Sequence, residues 1–146
     1  MLQARSHWLL DIGLPRVPHG ILDAVHAAEL PRLPGHTGLR EAIALGRTLV
    51  TGDQEFLGPW NVTLAHPGVV VFEDTPADWA EVVRNLLHLE FRVQQLGHES
   101  PLAENRYVLK PDCALFLVLA DGREQDLEAW RKVRVQGMPR LAAMST

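Results

Sequence analysis

Val69-Val70-Val71-Phe72 is an unbroken run of four apolar residues, with Pro67-Gly68 before it and Glu73-Asp74 after it. A strand with one wet face alternates apolar and polar residues. An unbroken run therefore predicts a strand covered on both faces, as in a parallel sheet packed between layers of helix. Trp8-Leu9-Leu10, ending in Asp11, has the same short apolar character. So does the β-branched segment Thr48-Leu49-Val50-Thr51, which is closed by Gly52-Asp53.

Helical spacing fills the intervals. A first helix is expected over 18–26, with Pro18 in its first turn and Ile21, Leu22 and Val25 on one face. Pro31, Pro34 and Gly35 then break the chain. Thr37 is placed to cap a second helix carrying Leu39, Ala42 and Ile43, with Gly46 as its end. Thr75 is placed to cap a third, with Pro76 at its first position and Asp78 in its first turn. Trp79, Val82, Val83, Leu86 and Leu87 form its expected buried stripe, and Gly97 its stop.

The order β-α-α-β-β-α is followed by a hairpin, 106–109 and 114–119 around Lys110-Pro111-Asp112, closed by Ala120-Asp121-Gly122. A final helix is expected over 124–135, with Leu127 and Trp130 inward. The expected fold class is α/β, a three-layer arrangement with a mainly parallel central sheet flanked by helices, plus the C-terminal hairpin and helix. A chain of 146 residues is too short for two ordinary cores, so 1–146 reads as one domain with 136–146 as a loose tail.

Missing residues exclude several chemistries. The three serines, Ser6, Ser100 and Ser145, lie in no G-x-S-x-G elbow. Neither lysine, Lys110 or Lys132, follows a glycine-rich loop, and no G-x-G-x-x-G occurs. One cysteine, Cys113, excludes a disulfide framework within the chain and makes a reducing cytoplasm the expected setting. The seven histidines lack the H-x-x-x-H spacing of a helix-borne metal site. The longest apolar run, 114–120, falls far short of the roughly 20 residues of a membrane span, and no secretory signal is expected at the N-terminus.

Net charge is −4, and it is uneven. Residues 131–146 carry Arg131, Lys132, Arg134 and Arg140 and no acid, while the rest carries 10 bases against 18 acids. The basic segment reads either as a contact for RNA or an acidic partner or as a solubilising last helix.

Sites in open α/β sheets form at the carboxyl ends of strands. Asp11 ends the first strand and Asp53 follows the second. On neighbouring parallel strands, these carboxylates would converge and repel unless a cation neutralised them. Hard oxygen donors select Mg²⁺ or Mn²⁺, and Glu55 stands close enough in sequence to add a third ligand. An Asp after a strand is also a common turn former or helix cap, and on spacing alone that reading stands ahead of a metal site.

Residues 9–93 resemble the PIN-like proteins, relatives of VapC-type toxins and Mut7-C domains. Leu10-Asp11-Ile12-Gly13-Leu14-Pro15 is similar to the family's opening D-E-N-L-P. The stretch from Glu41 through Gly46-Arg47 to Val50-Thr51-Gly52-Asp53-Gln54-Glu55-Phe56 resembles a helix ending in A-x-x-x-G-R, then V-T-R-D-x-D-F. Pro67-Gly68-Val69-Val70-Val71-Phe72 resembles its next strand, P-G-I-I-x-L.

The resemblance implies a Mg²⁺- or Mn²⁺-dependent endoribonuclease acting on single-stranded RNA, the toxin of a toxin–antitoxin pair. Its partners are RNA and an antitoxin protein, with a homodimer left open and no membrane. By position, Asp11 and Asp53 match the family's metal-holding acids and Glu55 stands where it usually has Asp. Ile12 and Gly13 replace the E-N of its opening, and its middle acid is missing from Gly35-His36-Thr37-Gly38, with Glu41 the nearest substitute. Arg16, Arg40 and Arg47 are the basic residues expected near the acids, as phosphate contacts or as a solvated surface. Two other readings stay open: a PIN-like domain without catalysis that binds RNA or a protein, and an unrelated α/β protein with turn-forming acids.

Overall fold

In a computed structural model of the protein, the residues described are 6–31, 38–60, 64–95 and 102–128. They form strands β1 (Trp8–Leu10) and β2 (Ala24–His26), helix α1 (Gly38–Leu45), strands β3 (Thr48–Thr51) and β4 (Val69–Phe72), helix α2 (Trp79–Gln95), and strands β5 (Arg106–Lys110), β6 (Ala114–Val118) and β7 (Glu124–Asp126). The strands make one sheet of order β2-β1-β3-β4-β5-β6-β7. The pairs from β2 to β5 are parallel, and β6 and β7 add antiparallel. The protein is thus α/β, with a mostly parallel mixed sheet.

The unbroken apolar runs are explained by a core on each face of this sheet. Trp8, Leu10, Val50, Val70, Phe72 and Leu109 face α2, where they meet Val82, Leu86, Leu89 and Val93. Leu9, Leu49, Val69 and Val71 face the other way, against Ala42 of α1 and Leu39, Phe56 and Trp60. Successive strand residues point to opposite faces, so each run must be apolar throughout.

Several expectations are corrected. No helix occupies 18–26. That stretch is irregular until Ala24-Val25-His26 pair in parallel with β1. Pro15, Pro18 and Gly20, the last at φ 92°, oppose a helix, and Leu14, Val17 and Leu22 reach the core from an irregular segment instead. α2 begins three residues later than expected: Asp78 caps it, accepting from Glu81 N at 3.0 Å. Its buried stripe is Val82, Leu86, Leu89 and Val93, while Trp79 and Leu87 are exposed.

The expected last helix does not start at Glu124, because Glu124–Asp126 is strand β7 against β6. The turn at Asp121-Gly122, closed by Gly122 N donating to Leu119 O at 2.8 Å, folds the chain straight back on β6. Thr37, Gly97, Trp130 and the tail lie outside the described residues.

Gly68 is fixed by space as well as by backbone. Its φ is +106°, and a Cβ there would stand 2.0 Å from Leu102 O.

Candidate functional site

The sheet order contains one reversal. From β1 the chain moves outward to β2, then returns past β1 to β3. The β1–β2 connection contributes Leu14, Val17 and Leu22 to the α2 side, and α1 covers the opposite side. Crossovers that leave neighbouring strands on opposite faces open a crevice at the strands' carboxyl ends, where α/β proteins bind their ligands. Asp11 directly follows β1 there, and Asp53 follows β3 by one residue.

Thr51 joins the two. Its hydroxyl donates to Asp11 Oδ2 at 2.6 Å and accepts from Asp53 N at 3.0 Å. Asp11 Oδ1 accepts from Ile12 N at 2.7 Å, which turns the chain out of β1. Asp53 Oδ1 accepts from Glu55 N at 2.9 Å, capping the short helical turn Gln54–Leu57. Both acids therefore do form turns, as their positions after strands allow, and they do so side by side at the switch point. Gln54 ties this turn to the next strand, its amide reaching Phe72 O at 2.9 Å and Gly52 O at 3.0 Å.

The remaining expected site residues divide between the two ends of the sheet. α1 leads into β3, so its first turn opens at the carboxyl edge, and Glu41 in that turn is 8% exposed. Asp53 and Glu55 are exposed and line a cleft of about 370 Å³ with Leu39, Phe56, Trp60 and Arg106. Arg16 is exposed beside the carboxyl end of β2, lining a cleft with His26 and Glu29. Arg40 is exposed on α1.

Arg47 is elsewhere. It precedes β3, at the amino edge, where its guanidinium donates to Asp23 Oδ1 at 2.9 Å and to Trp8 O at 3.3 Å. The expectation of Arg47 beside the acids is corrected by the sheet itself, since the length of β3 separates Arg47 from Asp53. Asp23 is held below the usual carboxylate range, first by the Arg47 hydrogen bond and then by that of His7.

Two contributors carried little sequence signal. Thr51 was legible only as a β-branched strand residue. Arg106 is buried in β5 and donates to Phe56 O at 2.7 Å, Gly58 O at 2.6 Å and Leu119 O at 2.5 Å. Its guanidinium lies 4.8 Å from the Trp60 ring centre, and Trp60 stacks on His66. Arg106 thereby pins the loop that follows Asp53, and burial lowers its pKa.

Among the described residues, no three His, Cys, Asp or Glu side chains gather into a group able to hold a metal ion. Asp11 and Asp53 do not build a closed cage. Their donor chemistry fits a hard divalent cation that keeps most of its waters and takes one or two carboxylates. No helix among the described residues is long and apolar enough to cross a membrane. Comparisons with protein-family models, with curated proteins and with solved structures found no match.

Proposed function

We propose that the protein is a PIN-like endoribonuclease that cleaves single-stranded RNA with Mg²⁺ or Mn²⁺, in the setting of a cytoplasmic toxin–antitoxin pair. The observation that carries this reading is the Asp11–Thr51–Asp53 chain at the sheet's switch point. In this reading Asp11 and Asp53 hold the cation, with Glu55 and Glu41 as the further carboxylates of the same edge. A bound divalent ion supplies an activated water and a counter-charge for the phosphodiester transition state.

The chain's own residues prepare that site. Thr51 orients Asp11, the Glu55 amide orients Asp53, and Gln54 and Arg106 tie down the loop that follows Asp53. Carboxylates held in this way would present their charge to the cation without rearrangement. In this reading Arg16 and Arg40, both exposed on this half of the fold, contribute phosphate contacts.

A second reading, a catalytically degenerate PIN-like domain that binds RNA or a protein partner, is favoured by the lack of a third gathered ligand among the described residues. One experiment separates the two. Purified protein is incubated with labelled single-stranded RNA, with and without Mn²⁺, beside Asp53→Asn. Metal-dependent cleavage lost in the variant supports the nuclease. RNA binding without cleavage by either protein, unchanged by EDTA, supports the binding domain. Equal cleavage by both overturns the proposed site.

A further inference from the structure

The cleft of about 370 Å³ beside Asp53 has two kinds of wall. Leu39, Phe56, Pro59 and Trp60 form an apolar, largely aromatic side, and Asp53 and Glu55 form an anionic one. The aromatic side is preformed. Leu39, Phe56 and Trp60 pack on the core that includes Leu49, Val69 and Val71, yet each stays partly accessible. The Phe56 and Trp60 ring centres lie 5.9 Å apart at a tilt of 59°, and His66 stacks on Trp60 at 5.3 Å. Arg106 fixes the backbone between them through Phe56 O and Gly58 O. A ligand that lies on this wall therefore pays little to order it.

Glu55 borders the same cleft with both carboxylate oxygens unused. Its backbone N–H is taken by Asp53, but its carboxylate has no hydrogen bond or ion pair among the described residues. An aromatic wall beside a free carboxylate matches the two surfaces of an unstacked nucleobase. The base lays its face on aromatic side chains and offers the N–H groups of its edge to acceptors. Guanine suits a carboxylate best, because its ring N–H and amino N–H stand side by side and both oxygens accept together.

We propose that this cleft is a nucleobase subsite that prefers guanine, with Glu55 as the residue that sets the preference. The inference rests on the ribonuclease reading and assigns Glu55 to the base, while Asp11 and Asp53 keep the cation. Asp53 borders both places, so a base held in the cleft sets the phosphate joined to it beside the two acids.

The full chain, without metal, is titrated with the 5′-monophosphates of guanosine, adenosine, cytidine and uridine, and with ribose 5-phosphate as the control that lacks a base. Amide chemical shifts provide the readout. Saturable shifts are expected at 39, 53–60 and 106, tightest for guanosine monophosphate, with half-saturation below about 1 mM. Glu55→Gln weakens guanosine monophosphate at least about fivefold, the loss of one paired contact to a base edge, and the other three by less. Its side chain is exposed and only its backbone joins the Asp53 turn, so the variant keeps the fold. The positions cut in labelled RNA with Mn²⁺ are mapped in parallel. Nucleotide binding of this kind without cleavage supports the subsite and removes the nuclease. Cleavage without nucleotide binding leaves the nuclease and overturns the subsite. The subsite is also overturned by equal binding of ribose 5-phosphate, by another base binding as tightly as guanine, or by undiminished guanine binding in Glu55→Gln.

Discussion

The Thr51 hydroxyl donates to Asp11 Oδ2 at 2.6 Å, so the carboxyl ends of β3 and β1 are tied by one side-chain hydrogen bond. The same oxygen receives Asp53 N, and a single side chain orients both acids of the candidate site. Thr51→Val keeps the shape and removes the hydroxyl. It leaves a half-buried carboxylate oxygen and a backbone amide without this partner, at an expected cost of about 1–3 kcal/mol by urea unfolding. If the proposed nuclease reading holds, cleavage is expected to fall as well, because Asp11 loses its fixed rotamer. Unchanged stability would show that water replaces the hydroxyl fully.

Asp53→Asn retains the cap on the turn Gln54–Leu57, since an asparagine oxygen accepts the Glu55 amide as well as aspartate does. Thermal stability without metal is therefore expected to hold or rise, by relief of repulsion with Asp11, while RNA cleavage is abolished. A large drop in melting temperature would instead give the carboxylate a structural role.

The phase of α2 is tested by two adjacent leucines. Leu86 is fully buried in the core, and Leu86→Ala is expected to cost about 2–5 kcal/mol. Leu87 is 46% exposed, so Leu87→Ala stays within about 0.5 kcal/mol. Denaturant midpoints of the two variants compare them directly, and equal losses would contradict the observed phase.

Gly68→Ala puts a methyl 2.0 Å from Leu102 O at a φ of +106°. The backbone strain alone costs about 1–3 kcal/mol, and the clash forces 102–105 away from β4. A melting temperature within a degree or so of the parent would mean that this loop yields freely.

The Asp23 pair gives a pH dependence. Its carboxyl lies below 3.8 in the fold because of Arg47 and His7, so the unfolded chain takes up this proton first as pH falls. Its contribution is complete above the unfolded value and is lost as pH drops through the folded one. Asp23→Asn should therefore lower the melting temperature near neutrality, and the gap to the parent should narrow as the pH falls below the ordinary carboxylate range. A gap that is constant with pH would remove the carboxylate as its cause.

The strands of the parallel core were legible because burial on both faces is written locally, as unbroken apolar runs at Trp8–Leu10, Thr48–Thr51 and Val69–Phe72. Asp11 and Asp53 were legible as candidates for the same local reason, each standing where such a run stops. Turn chemistry at Lys110-Pro111-Asp112 and Asp121-Gly122 likewise announced the hairpin. What tertiary structure decided was the choice among partners. Ala24-Val25-His26 became a strand because the edge of β1 was open to it, and Glu124–Asp126 did so on β6, against the helical spacing of both segments. The helix phase of α2 was set by packing on the sheet, which takes Val82, Leu86, Leu89 and Val93 and leaves Leu87 exposed. The link through Thr51 and the pinning of the 56–60 loop by Arg106 join residues 40 and about 50 positions apart. No local pattern records such pairs, because their energy exists only once the sheet has set the strand order.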